Sequence, residues 1–226
     1  MELSPLVSNT QAVRNTTEIT PDPPVRQQTS AESQTLQIDF LWSKGKASIT
    51  RKGDPDATPI YMVECERWYK SKIIFKSLPD NSIIGTGIPH AISISPSCVV
   101  HDHPITLQAL KSLKTSYTHL SPAFSVDGIE PMPMTWTSTA NFKTWDFVCL
   151  DVNQIPVARF SARWWAIKKF AYIEFLGEHE LSEAVRDEIV IMGTMLYFGM
   201  VVRINNPLNL VGSVLHTTGS SDKKNL

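Results

Sequence analysis

The stretch SEAVRDEIVIMGTMLYFGMVVR, residues 182–203, decides the fold. Ser182 is placed to cap a helix and Glu183 to complement the positive end of its dipole. At the far end Arg203 complements the negative end, and Asn205-Asn206-Pro207 stops the helix. From Ile189 to Val202 the run is apolar on every face, relieved only by Gly193, Thr194 and Gly199. A helix lying on a protein surface has one apolar stripe, so this one either spans a membrane or is enclosed by protein. Length separates the two: fourteen residues at ~1.5 Å each cover roughly 21 Å, short of a ~30 Å hydrocarbon core. The sequence therefore predicts a helix over 182–203 enclosed on all sides by its own chain. About ten large apolar side chains at ~1.5–3 kcal/mol each give its burial a gross value on the order of 15–30 kcal/mol before chain entropy.

What encloses the helix is written in the residues before it, where short runs alternate with a period of two between turn residues. Met132, Met134 and Trp136 share one face of a run; Trp145, Phe147 and Cys149 share one face of the next. Asp151-Val152-Asn153-Gln154 supplies a turn, after which Ala158, Phe160, Ala162 and Trp164 alternate with Val157, Arg159, Ser161 and Arg163. Lys72-Ile73-Ile74-Phe75-Lys76, the turn at Pro79-Asp80-Asn81, and Ile83-Ile84-Gly85-Thr86 form a second hairpin pattern. Residues from Ile105 to Leu113 are the one ambiguous stretch and read as a short helix.

Composition bounds the rest. A chain of 226 residues with 42% hydrophobic content supports one full-sized domain with a buried core. Residues 1–34, rich in Ser, Thr, Pro, Gln and Asn, show no periodicity and read as a disordered tail. Residues 217–226 read likewise, which leaves 35–216 as the folded domain. A net charge of -1 excludes a dedicated nucleic-acid binder, which needs a basic surplus against phosphates. No basic region followed by an apolar one opens the chain, so the sequence predicts an intracellular, cytoplasmic protein and makes the sequon Asn15-Thr16-Thr17 a chance match. Cys65, Cys98 and Cys149, odd in number and widely spaced, fit reduced thiols better than disulfides or a zinc site.

Four segments carry a family resemblance: Met134-Thr135-Trp136-Thr137-Ser138, residues 143–151 (KTWDFVCLD), residues 156–162 (PVARFSA), and Arg186-Asp187-Glu188-Ile189-Val190 at the start of the apolar helix. In these, over about residues 59–203, the chain resembles the fungal members of the tubby C-terminal-like superfamily, which also includes phospholipid scramblases and the plant LURP-one-related proteins. The resemblance implies a mainly β fold: a closed antiparallel barrel of about twelve strands with the apolar C-terminal helix threaded through its centre. Its functional implication is broad, because the superfamily includes phosphoinositide-binding adaptors, scramblases and proteins of other kinds. The lipid-binding lysines of tubby have no counterparts that can be placed here. The cysteine-rich palmitoylation cluster and following transmembrane segment of scramblases are missing from this sequence.

The residues offer few other candidates for chemistry. His101-Asp102-His103 puts two imidazoles on one face if extended, but no third ligand follows, so a polar loop before Pro104 is expected and no metal. Gly85-Thr86-Gly87 lacks the third glycine and the following helix of a dinucleotide fingerprint. It reads as turn glycines, and no cofactor is expected. Asp146, Asp151 and Glu174 are candidates for an acid–base pair inside a barrel, with a turn role for Asp151 and structural roles for the others as the plainer reading. Trp136, Trp145, Trp164 and Trp165 either line a cavity or pack the core, and alternating aromatics usually pack a core. The most usable feature is basic: Arg159, Arg163, Lys168 and Lys169 interleave with Phe160, Trp164, Trp165 and Phe170, a pattern that suits an anionic phospholipid or phosphoinositide surface. Two functions follow. One is a non-catalytic barrel that binds a lipid surface, as a peripheral membrane protein, or a protein partner. The alternative is a cavity enzyme of the cyclase or isomerase type acting on a small apolar substrate in fungal secondary metabolism. A filled interior favours the first, and a pocket of a few hundred cubic ångströms lined by ionisable groups favours the second.

Overall fold

The period-two runs become strands in the computed structural model, which describes residues 35–53, 58–65, 72–90, 95–110, 116–125, 127–138, 144–163, 170–177 and 182–205. In chain order the strands are β1 (Thr35–Leu41), β2 (Lys46–Arg51), β3 (Tyr61–Cys65), β4 (Ile73–Ser77), β5 (Ile83–Ile88), β6 (Ser97–Val100) and β7 (His103–Thr106). They continue with β8 (Gln108–Ala109), β9 (Ser116–Ser121), β10 (Met132–Ser138), β11 (Thr144–Leu150), β12 (Pro156–Arg163) and β13 (Phe170–Phe175), and helix α1 (Glu183–Asn205) follows. The expected tails at 1–34 and 217–226 lie outside the described residues, as do Trp164, Trp165, Lys168 and Lys169.

Hydrogen-bonded neighbours run in the order β7-β6-β5-β4-β3-β2-β1-β13-β12-β11-β10-β9-β8. The antiparallel ladder from Thr35↔Glu174 to Asp39↔Phe170 joins the first strand to the last. The two edges left over, β7 and β8, are consecutive in the chain and separated by Leu107 alone. They behave as one strand that changes partner midway. Ile105 and Leu107 are buried while Thr106 and Gln108 are exposed, so the alternation passes through the join. Leu107 N–H donates to Pro96 O beside β6, and Leu110 N–H donates to Ser116 O on β9. An antiparallel ring needs an even number of strands, and the thirteen segments among the described residues satisfy this because two are halves of one, which makes twelve. The short helix expected from Ile105 is therefore extended chain through Ala109, with residues 111–113 outside the described set. The four apolar residues between Pro104 and Lys111 were too few for the period to decide between helix and strand.

Side chains alone fill a barrel of about eight strands; the wider ring here has a lumen, and α1 occupies it. Its 23 residues at ~1.5 Å each extend roughly 35 Å. Every residue from Asp187 to Phe198 is buried, with no face turned to water. Ser182 caps the helix as expected: its Oγ accepts the Val185 N–H at 3.3 Å and its carbonyl accepts the Arg186 N–H at 3.0 Å. The helix lies closest to β5, β6 and β12, and glycines permit that approach. A Cβ on Gly85 would stand 2.5 Å from Val99 O and 2.6 Å from Ile191 Cδ1, and one on Gly87 would run into the Met195 side chain. Both lie within β5, so they are strand glycines against the helix and not turn glycines. Among the described residues no helix is long and apolar enough to cross a membrane.

Candidate functional site

The helix enters the barrel with its polar first turns, and there two adjacent carboxylates meet the wall. Residues on opposite sides of the ring converge on them. β3 brings Tyr61, the β6–β7 turn brings His101, and β9 brings His119. Tyr61 Oη donates to Asp187 Oδ1 at 2.7 Å, and His101 Nε2 stands 2.9 Å from Asp187 Oδ2. His119 Nε2 stands 3.1 Å from Glu188 Oε1, and the Ala123 N–H donates to Glu188 Oε2 at 3.3 Å. Each of the four carboxylate oxygens thus has its own partner, which is what two carboxylates at 1% exposure require.

The turn that carries His101 is strained in a defined way. His101 and Asp102 have φ of 43° and 67°, so both central residues of the β6–β7 hairpin are left-handed, as a type I′ turn demands. Neither is glycine. Asp and His are among the side chains that tolerate that region best, and the bond to Asp187 holds His101 there. His119 is buried, and its Nδ1 has no partner among the described residues. With Nε2–H donating to Glu188, Nδ1 carries the lone pair and no N–H is left unpaired.

Electrostatics follow burial. Burial is the main influence on Asp187 and raises its carboxyl above the ordinary value, against the opposing bonds from Tyr61 and His101. The Tyr61 hydroxyl is raised as well, first by burial and then by the neighbouring Asp187 charge. The Glu188 charge adds to burial in holding up the Cys98 thiol, to about 12, and that of Cys149. All three cysteines are free thiols, and Cys65, pushed up to about 11 by burial, is unreactive for the same reason.

A cleft of about 450 Å³ opens over this cluster. Val100, Pro122, Ala123 and Ala184 are its apolar lining, and His101, His103, Glu183 and the buried Glu188 its ionisable lining. Although His101 and His103 come together there with two glutamates, no group of three or more metal-ligating side chains among the described residues is arranged to hold an ion.

Of the residues singled out in the sequence, His101 and His103 are at this site and the other described ones lie elsewhere. Arg159 is exposed on the outer face of β12, in register with Val148 on one side and Glu174 on the other. Arg163 ends the same strand opposite Thr144. Glu174 and Asp146 are half-buried on outward positions, so neither forms an acid–base pair in the lumen. Asp151 is the turn residue, its Oδ1 accepting the N–H groups of Asn153 at 2.9 Å and Ile155 at 2.7 Å. Trp136 and Trp145 are core residues at 1% and 4% exposure, and Trp145 tilts against Tyr197 of the helix with ring centroids 5.5 Å apart. Sequence reasoning passed over Asp187, Glu188, Tyr61 and His119. The available signal was the pair of acids where the chain turns apolar, since charges at the entrance of an enclosed helix must find partners on the enclosing wall.

Comparison with models of known protein families, with curated proteins and with solved structures finds no match to this chain.

Proposed function

We propose that the chain is a binding barrel of the tubby C-terminal-like kind, which engages an anionic membrane surface from outside and encloses no substrate in its lumen. The observation that carries this reading is the occupied interior: α1 is buried on every face from Asp187 to Phe198, and it packs tightly against the wall at Gly85, Gly87 and Gly193. Binding must then use outer surface or rim. Arg159 is in solvent on β12, and Arg163 ends the same strand. Basic groups near an anionic surface contribute ~1 kcal/mol each, and Glu174 beside Arg159 offsets part of that, so attachment is weak, reversible and sensitive to salt. The reading implies a cytoplasmic protein that visits the membrane. Sedimentation with liposomes with and without phosphoinositide, at low and physiological salt, tests it. Wild type is expected to bind at low salt, and Arg159→Glu/Arg163→Glu/Lys168→Glu/Lys169→Glu is expected to lose most of that binding. Equal binding by both, or none by wild type, contradicts the membrane reading and leaves a protein partner as the ligand.

A second reading, acid–base chemistry of the cyclase or isomerase type, is favoured by one specific feature: an imidazole backed by a buried carboxylate at the edge of a cleft large enough for a small molecule. It moves the reaction from the lumen to the rim.

A further inference from the structure

We propose that His101 is a proton acceptor for a small carbon acid bound in the rim cleft, with Asp187 and Tyr61 as its positioning residues; this rests on the second reading above. The geometry is that of a general base held by a second group. Asp187 Oδ2 accepts the Nε2–H of His101 at 2.9 Å, which leaves Nδ1 with the lone pair. Asp187 cannot swing away, because it is buried at 1% exposure and its other oxygen is fixed by Tyr61 Oη at 2.7 Å. The His101 side chain, by contrast, is 45% exposed and lines the cleft. A buried orienting carboxylate, a half-exposed imidazole and a pocket in front of it are the three parts that base catalysis requires.

The lining sets the substrate class. Val100, Pro122, Ala123 and Ala184 suit an apolar body, and a volume of about 450 Å³ suits a small molecule. The reaction is redox-neutral. A C–H bond between a carbonyl and a neighbouring C=C breaks, its proton goes to His101 Nδ1, and the electron pair moves onto the carbonyl oxygen as a dienolate. Return of the proton to the far carbon of the former C=C moves the double bond beside the carbonyl and completes an isomerisation with no further reactant. The imidazolium formed in between faces the Asp187 carboxylate. The first residues of α1, Glu183 and Ala184, also line the cleft, so the positive end of the helix dipole lies near the enolate while the exposed Glu183 carboxylate opposes it.

The test uses 5-nitrobenzisoxazole, whose C–H deprotonation breaks its N–O bond and releases a coloured cyanonitrophenolate, so that base strength in a pocket is read without knowing the natural substrate. Wild type is expected to turn it over at least about tenfold faster than free imidazole at the same concentration. His101→Asn suits the left-handed turn and keeps a donor toward Asp187; it is expected to abolish that excess with an unchanged melting temperature. Asp187→Asn is expected to lower kcat by about tenfold with KM unchanged, a split that a merely structural role would not give. Turnover no faster than free imidazole overturns the acid–base reading as a whole. Excess turnover that survives in His101→Asn overturns the assignment of His101 and leaves that reading standing.

Discussion

Asp187 and Glu188 are neighbours in the chain, yet each is fastened to a different part of the barrel wall, one to β3 and the β6–β7 turn, the other to β9. Such a pair stabilises only while every partner is present, since a buried carboxylate that loses a donor costs more than the bond was worth. Tyr61→Phe removes the donor to Oδ1 and keeps the ring; it is expected to destabilise by about 1.5–3 kcal/mol in urea unfolding. The pH dependence of Asp187 has a definite sign. Because burial raises its carboxyl, the folded state holds that proton more tightly than the unfolded chain does. The resulting stabilisation is complete below the ordinary value of 3.8 and is lost as pH rises through the folded value. Asp187→Asn does not titrate, so its stability is expected to improve relative to wild type as pH rises above 3.8; a difference constant with pH contradicts this. At this scale the sequence was least legible. Two acids ahead of an apolar run look like a solvated first turn, and only the wall that closes over them turns them into a buried site.

At the scale of elements, β5 determines how close the helix sits. Gly85 faces both Ile191 Cδ1 of the helix and Val99 O of β6, a backbone oxygen that cannot rotate away, whereas Gly87 faces the flexible end of Met195 and Gly199 faces Pro96 at 3.3 Å. Gly85→Ala is therefore expected to cost about 1–3 kcal/mol or more by overpacking, and Gly199→Ala clearly less. Calorimetry on the two variants checks the order, and equal melting temperatures would remove β5 as the limiting contact. The long alternating runs of β10, β11 and β12 were legible because seven or eight residues fix a period and Asp151 marks the turn between the last two. The β7–β8 strand was not, because Leu107 is where it exchanges one neighbour for another, and that change is visible only once β6 and β9 are in place. Glycines within a strand carry no sign of their own in a sequence. What they mean here depends on Ile191 and Met195 arriving opposite them.

For the whole molecule, one run of residues determined the architecture: an apolar-all-round run within a helix, itself too short for a bilayer, needs a wall on every side, and a ring of strands is the wall this chain builds. That inference required only length and composition. What the barrel does was not legible in the same way, since function depends on which side chains the closed ring brings together at its mouth, and these come from β3, the β6–β7 turn, β9 and α1, far apart in sequence. Both functional readings presuppose the enclosed helix, so its enclosure is the claim most worth testing. Native-state hydrogen exchange on the amides of residues 189–198 tests it most directly. A helix inside a closed barrel cannot open without opening the barrel, so these amides are expected to exchange only through global unfolding, with protection free energies equal to the stability measured by denaturant. Exchange of the same amides orders of magnitude faster, through local fraying that leaves the strands protected, would contradict a helix held within the barrel.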